Sequence, residues 1–415
     1  MEPYEVLIFI AYFISFFISM VYIAIFLYNR DDFITKVPKD YEKNALSVTV
    51  LIPAYNKEDI LADTIKSILN QDYPKDKIEI IVINDGSKDK TKEVAKSFKE
   101  VTLINKENAG KASALNDGIK VAKNDIIVVL DADTLMTEEL TKKAVSYFKD
   151  DAVGVVIPTL KPYKPKNLLE RIQVVEYTLS GFTRKILSFI NSSSAAPACS
   201  YFRREIFEDY GGFDVDNITE DFEMALKIQS HNHKLVHLTD AVAYTDVPKK
   251  LKELLRQRLR WCYGNLFNLK KYKSIFGKKY GDFGLLFLPM ILISILLSLA
   301  ILFSGIFGLA ESFFRKILLA YKINFNFSFN FDFNRILAEL TNPKIFLGVI
   351  IFFLALFIVY LARKYTRQSK QIEKINGTNI GILTYLVYAF IYSLILVNVW
   401  LIAIFYILVK KKPSW

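Results

Sequence analysis

The sequence predicts an α/β domain built on a mostly parallel sheet and set between membrane-spanning helices. Three observations predict it. Between residues 45 and 160, short β-branched runs alternate with amphipathic helical stretches, the pattern of a sheet with helices on both faces. Of the 415 residues, 52% are hydrophobic while 23% are charged, which is too apolar for an ordinary soluble chain. The longest apolar stretches gather in four blocks outside that region. The chain therefore divides into an anchor over 1–30, a cytoplasmic α/β domain over 31–248, a basic interfacial region over 249–280 and a membrane region over 281–415.

The first block, Val6–Tyr28, carries no charge and exceeds the roughly 20 residues a bilayer crossing needs. The residues before it, Met1-Glu2-Pro3-Tyr4-Glu5, lack the basic start of a secretory signal peptide. Arg30 follows it as the first positive charge, so the segment reads as a retained anchor with residue 30 onward in the cytoplasm.

Strands are expected at Ser47–Ile52, Ile78–Asn84, Val101–Ile104, Ile126–Leu130 and Val153–Ile157. Helices are expected at Glu58–Leu69, Lys90–Phe98, Ala112–Ala122 and Glu138–Phe148. Open α/β sheets bind ligands at the carboxyl ends of their strands. Here those ends are Pro53-Ala54-Tyr55-Asn56, Asn84-Asp85-Gly86-Ser87 and Asp131-Ala132-Asp133. Asp85-Gly86-Ser87 alone would pass for turn and cap chemistry, but convergence of three such segments on one sheet edge favours a ligand site. Asp131 and Asp133 alternate, so both carboxylates can face one ion. Hard oxygen donors of this kind suit Mg²⁺ or Mn²⁺ shared with substrate phosphates. Lys111 stands at a glycine-bearing turn entering a helix, an arrangement that favours phosphate over a merely solvated lysine.

Beyond Pro158 the alternation stops. Leu168–Ile190 reads as an amphipathic helix lying against the membrane surface. Gly211-Gly212-Phe213-Asp214 forms a turn, and Thr219-Glu220-Asp221-Phe222 opens a helix over Phe222–Ile228, where Asp221 alone would be a cap. His231, His233 and His237 lack the partner spacing of a zinc site and read as strand and loop residues. Cys199 and Cys262 are too few for a disulfide scaffold and read as buried thiols in a reducing compartment.

The 54 Lys and Arg against 43 Asp and Glu leave a net charge of +11, which suits a polyphosphate, an anionic membrane or a nucleic acid. Lys249–Lys279 holds eleven of those cations against the single acid Glu253. Cations massed beside membrane segments argue for lipid contact and against nucleic acid. Within that stretch Gln257, Arg260 and Trp261 fall near one helix face, an amide, a guanidinium and an indole suited to a sugar diphosphate. The remaining apolar blocks are Gly284–Ala310, Ile345–Leu361 and Ile380–Val409. Arg363, Lys364, Arg367, Lys370 and Lys374 mark a cytoplasmic loop, and Tyr321–Asn334 an outer one. Four simple crossings would leave Lys410-Lys411-Lys412 outside, against the positive-inside rule, and the last block is too short for two spans. Of the sequons at Asn191, Asn217, Asn326 and Asn376, only Asn326 falls on the outer side.

Residues 47–275, with these flanks, resemble the membrane-embedded processive family 2 glycosyltransferases: cellulose, hyaluronan and poly-N-acetylglucosamine synthases. Asp85, Asp131-Ala132-Asp133, Thr219-Glu220-Asp221 and Gln257-Arg258-Leu259-Arg260-Trp261 occur in the family's order. The small size and single N-terminal span look most like the poly-N-acetylglucosamine branch. The resemblance implies a GT-A-type fold and a UDP-sugar donor, with UDP-N-acetylglucosamine the branch's choice. It implies a polysaccharide or lipid-linked acceptor, Mg²⁺ or Mn²⁺, and room for a partner subunit. It places Pro53, Tyr55 and Asp85 at the donor nucleotide, the last two around its uracil. Lys111, Gln257 and Arg260 then meet the diphosphate, Asp131 and Asp133 hold the metal, and Trp261 stacks on the acceptor sugar. Asp221 becomes the base, with Glu220 beside it. Ala196-Pro197-Ala198-Cys199-Ser200-Tyr201 departs from the family's glycine-rich acceptor turn, which leaves the acceptor open. Two other readings stay open: a single-transfer enzyme loading a polyprenyl phosphate, and a non-catalytic membrane scaffold.

Overall fold

The computed structural model describes residues 3–38, 41, 45–192, 195–324, 343–366 and 380–413. In chain order its elements are α1 (Pro3–Tyr28), β1 (Val48–Ala54), α2 (Leu61–Leu69), β2 (Ile78–Asp85), α3 (Thr91–Lys96), β3 (Val101–Lys106), α4 (Lys111–Val121), β4 (Ile126–Val129), β5 (Thr134–Met136) and α5 (Leu140–Val145). There follow β6 (Val153–Pro162), α6 (Leu168–Ser188), β7 (Ser200–Arg203), α7 (Glu205–Tyr210), α8 (Glu220–Ser230), β8 (Lys234–Thr245) and α9 (Leu251–Lys271). The chain closes with α10 (Leu288–Lys322), α11 (Pro343–Tyr365) and α12 (Ile382–Leu408). Two compact units result: Met1–Tyr28 with Pro289–Leu361, and Asn29–Leu288 with Ala362–Trp415.

In the second unit, successive residues of β1 point to opposite faces of the sheet, so one strand feeds two cores. Val48, Val50 and Ile52 join Leu61, Ile65 and Ile68 of α2 in one core. Leu51 joins Ala114 and Leu115 of α4 and Met224, Ala225 and Ile228 of α8 in the other. Each fully buried aliphatic side chain of this kind stabilises the fold by about 1.5–3 kcal/mol. The eight strands run in the order β3-β2-β1-β4-β7-β6-β8-β5. The block β3-β2-β1-β4 is parallel throughout, as the sequence predicts, and brings the ends of β1, β2 and β4 to one edge.

Where the strand–helix alternation stops, beyond Pro158, the sheet itself continues through strands that the sequence reading did not delimit. Strands β7 and β8 add to it, and β7 pairs antiparallel with both β4 and β6. Strand β8 pairs parallel with β6 and antiparallel with the short β5. Their near-continuous burial explains the omission: Leu235, His237, Leu238 and Ala241–Thr245 are all buried, so no apolar–polar alternation marks the strand. His237 lies in β8, and His231 and His233 flank the turn before it, with His231 stacked on Tyr210 at 3.8 Å. Cys199 and Cys262 are buried free thiols. Asn191 accepts from the Leu235 amide at 3.2 Å, and Asn217 is buried against Asn268. Asn326, Asn376, Arg367, Lys370 and Lys374 lie outside the described residues, as does Tyr321–Asn334 from residue 325 onward.

Among the described residues four helices are long and apolar enough to cross a bilayer: Glu5–Tyr28, Phe283–Lys322, Ile345–Tyr365 and Ile382–Leu408. They follow the four expected blocks and mark a membrane protein. The last block is a single helix. Within the second unit, Val399 and Ala403 of α12 pack with Cys262 and Tyr263 of α9, and Tyr392 packs with Ile172 of α6 and Leu254 of α9.

Candidate active site

The loops at the ends of β1 and β2 brace one another before any ligand is considered. Asn56, at φ 51°, donates its amide to Ser87 Oγ at 3.1 Å and accepts from the Lys88 amide at 2.9 Å. The ladder between β1 and β4 ends at Leu51, so Pro53 sits where the sheet opens on that side. The Tyr55 ring beyond it is 45% exposed. Asp85 is buried. Its two oxygens accept from the amides of Ala109 and Gly110 at 3.0 and 2.9 Å, and Lys106 Nζ lies 3.3 Å away. Asp85 thus anchors the turn that delivers Lys111 to the start of α4. Gly86, at φ 73°, is needed at this join, since a Cβ there would lie 2.8 Å from the Asn108 amide nitrogen.

Asp131 and Asp133 stand in the turn between β4 and β5, supported by a 2.9 Å bond from Thr64 Oγ1 to the Ala132 carbonyl. Each carboxylate has its own lysine. Lys57 Nζ meets Asp133 at 2.6 Å, and Lys111 Nζ meets Asp131 at 2.7 Å and Glu220 at 3.2 Å. Burial works to lower the pKa of Lys111, but Asp131, Glu220 and Asp221 overcome it and hold the ammonium above the ordinary lysine range. Lys111 is therefore a fixed cation, held between Asp131 and Glu220.

Two carboxylates in one turn fit a Mg²⁺ or Mn²⁺ ion that takes its other ligands from phosphates and water. Among the described residues no group of three or more His, Cys, Asp or Glu is placed to hold a metal ion by itself.

Asp221 opens α8, with its side chain accepting from the Phe222 amide at 2.8 Å. Burial and the neighbouring Glu220 raise its pKa to about 6, against the pull of Lys111 and Arg260. This helix start is locked to α9. Asn217 and Asn268 exchange side-chain bonds of 2.7 and 3.1 Å, and Asn268 also donates to Thr219 Oγ1 at 3.0 Å. Gly264 permits the contact, since a Cβ there would fall 2.2 Å from Thr219 Oγ1. The helix carrying Gln257, Arg260 and Trp261 thereby sets the position of Glu220 and Asp221.

The structure brings together Lys111, Asp131, Glu220 and Asp221, and links Asp133 to Lys57. Pro53 and Tyr55 stand at the end of β1, beside the end of its parallel neighbour β2, where Ala54 pairs with Asn84 and Asp85 is the last residue. Gln257 and Trp261 are half-buried and Arg260 is exposed.

Sequence reasoning passed over Arg258, which is buried and ion-paired with Glu176 of α6. Its Nε lies 3.0 Å from both Glu176 Oε1 and the Tyr392 hydroxyl of α12, and its guanidinium covers the Trp261 ring at 4.1 Å. It also donates to Gln257. Lys57 was missed as well, and so was Arg184 of α6, which stands near enough to Asp221 for their charges to interact. Polar residues at Glu176, Tyr177, Ser180 and Arg184, recurring at helical spacing on α6, were the available signal.

The Glycosyl transferase family 2 model matches residues 49–211. Over 224 residues the chain is 33% identical to the poly-beta-1,6-N-acetyl-D-glucosamine synthase of Staphylococcus aureus strain MSSA476, covering 52% of this chain and 54% of the relative. The protein of the same name from Staphylococcus epidermidis is 30% identical over 233 residues, covering 54% of this chain and 56% of the relative. The chain spans about half the length of the curated relatives it matches. Among solved structures, a mannosyltransferase from Pyrobaculum calidifontis, in complex with GDP-Man and Mn2+, superposes with a TM-score of 0.58 at 21% identity. It covers 88% of this chain and 99% of its own, and it supports the GT-A-like fold.

Proposed function

We propose, for a chain whose residues 49–211 match the Glycosyl transferase family 2 model, inverting transfer of a sugar from a UDP-sugar, UDP-N-acetylglucosamine first, onto a growing polysaccharide. The observation that carries this reading is the meeting of Lys111, Asp131, Glu220 and Asp221 at one place, with α9 fastened beside them. Inverting transfer needs a cationic cradle for a diphosphate and a base on the opposite side of the sugar.

In this reading Pro53, Tyr55 and the loop anchored by Asp85 hold the nucleotide. Lys111, Gln257 and Arg260 face the diphosphate, and Trp261 stacks on the terminal acceptor sugar. Asp221 takes the proton from the acceptor hydroxyl, and the oxygen attacks the anomeric carbon from the face opposite UDP. The bond from that carbon to the phosphate oxygen breaks, and UDP leaves with the electron pair. Asp131 and Asp133 would hold Mg²⁺ or Mn²⁺, which when bound offsets charge gathering on the departing diphosphate. Arg30 and the cations of Lys249–Lys279, flanking apolar helices, support a multi-pass cell-membrane protein whose catalytic domain faces the cytoplasm.

The test is UDP release by the full chain in mild detergent with Mn²⁺ or Mg²⁺, screened over UDP-sugars, with products sized. Release with one donor, long products and an inactive Asp221→Asn variant are expected. Lipid-extractable single-sugar products would replace the acceptor with a polyprenyl phosphate. No release from any donor, equal to Asp221→Asn, would overturn the catalytic reading in favour of a scaffold.

A further inference from the structure

We propose that Arg258 is a positioning residue for two neighbours on α9: it fixes which end of the Gln257 amide meets the donor diphosphate, and it holds the plane of the Trp261 ring for the acceptor sugar. This inference rests on the proposed reading, in which Gln257 and Trp261 meet those groups.

The Arg258 side chain is 3% exposed, and its guanidinium touches four side chains. Nε lies 3.0 Å from Glu176 Oε1 of α6 and 3.0 Å from the Tyr392 hydroxyl of α12. That hydroxyl donates onward to Glu176 Oε2 at 2.9 Å, and Nη2 pairs with the same oxygen. Nη1 donates to Gln257 Oε1, and Cζ lies 4.1 Å from the centre of the Trp261 ring. Tyr392 is itself buried, stacked on Tyr388 at 5.6 Å where α12 widens to i→i+5 turns over Val387–Tyr392. Turns of that kind are rare and concentrate at functional positions. Two neighbouring helices thus fix the guanidinium plane.

The consequence for Gln257 is chemical. A guanidinium only donates, so Gln257 must offer it the carbonyl oxygen. That leaves the Nε2 group, a donor, for a phosphate oxygen. A reversed amide would set its carbonyl oxygen against the negative charge of the diphosphate. Trp261, three residues along α9, shares the helix face of Arg258. The guanidinium covers one face of the indole, so a pyranose would stack on the other. Stability alone does not call for this arrangement, because a buried ion pair adds little over well-packed apolar side chains.

The experiment uses the full chain in mild detergent and the paired change Arg258→Met with Glu176→Leu. Removing both charges together should leave thermal unfolding close to that of the parent. UDP affinity in Mn²⁺, measured by calorimetry, should still weaken about tenfold, the scale of one charge-assisted hydrogen bond. Added to Gln257→Ala, the paired change should weaken UDP no further, as expected of residues that act as one unit. Trp400→Phe with Trp415→Phe leaves Trp261 the only indole of three. In that background acrylamide should quench the paired variant at least about twofold more strongly than its parent. Arg258→Lys should do the same, since an ammonium keeps the ion pair but loses the stacked plane. Parental UDP affinity and parental quenching in the paired variant would overturn the inference and leave the proposed function standing. A further tenfold loss on top of Gln257→Ala would also overturn it, since Arg258 would then act by another route. A parent that binds no UDP would overturn the proposed reading itself, and the inference with it.

Discussion

Asp221 should place the acid limb of the pH–rate profile near pH 6. Burial and Glu220 raise its pKa from 3.8 to about 6. A base with that pKa is about one-eleventh ionised at pH 5, so the rate there should be about tenfold below its plateau. The same shift has a stability cost. The folded chain holds this proton more tightly than the unfolded chain, so the group costs nothing below pH 3.8. Its cost grows as pH rises from 3.8 to about 6 and is complete above that. The full shift corresponds to about 3 kcal/mol, and partial solvent access reduces it to roughly 1–3 kcal/mol. Asp221→Asn should therefore abolish transfer yet unfold at a higher temperature at pH 7.5, with the advantage vanishing below pH 4. Glu220→Gln should move the acid limb of transfer to lower pH. UDP release from pH 4.5 to 8 and thermal unfolding in detergent measure both effects. An acid limb near pH 4 that Glu220→Gln does not move, or an Asp221→Asn variant no more stable than its parent, would refute the reasoning.

Three further outcomes follow from the packing. Arg258→Met strands the Glu176 carboxylate and should cost about 3–5 kcal/mol in thermal unfolding, whereas Arg258→Met with Glu176→Leu should recover most of it. Gly264→Ala drives a methyl group into Thr219 and should cost about 1–3 kcal/mol. It should also lower the maximal rate of UDP release with little change in UDP affinity. Asp85→Ala removes the acceptor of the Ala109 and Gly110 amides, so hydrogen exchange there should speed up. UDP binding, measured by calorimetry, should weaken about tenfold, the scale of a lost charge-assisted hydrogen bond.

How much of this was legible beforehand depended on the range of the interaction concerned. Strands β1 to β4 and helices α2 to α5 were readable because period-2 and period-3.6 patterns are local, and the turn residues at their ends mark where each strand stops. The placement of Asp85 and Asp131 at one sheet edge then followed from the parallel-sheet rule, and Lys111 from its glycine-bearing turn at a helix start. Strands β7 and β8 were not readable in this way, because burial on both faces erases the alternation on which a strand reading rests. The pairings were also hidden. Lys57 and Asp133 are 76 residues apart, Arg258 and Glu176 82, and Arg258 and Tyr392 134.

An α/β domain among apolar helices, with acids and a lysine near its strand ends, is already legible in the chain, because those features are written in neighbouring residues. Which charge answers which was settled by folding. It gave each aspartate of the pair its lysine and set the helix of Asp221 against Gly264. It also buried Arg258, an unmarked position inside a recognised motif, between three helices. An ion pair depends on distance and burial in space, and neither is encoded at any one place along the chain.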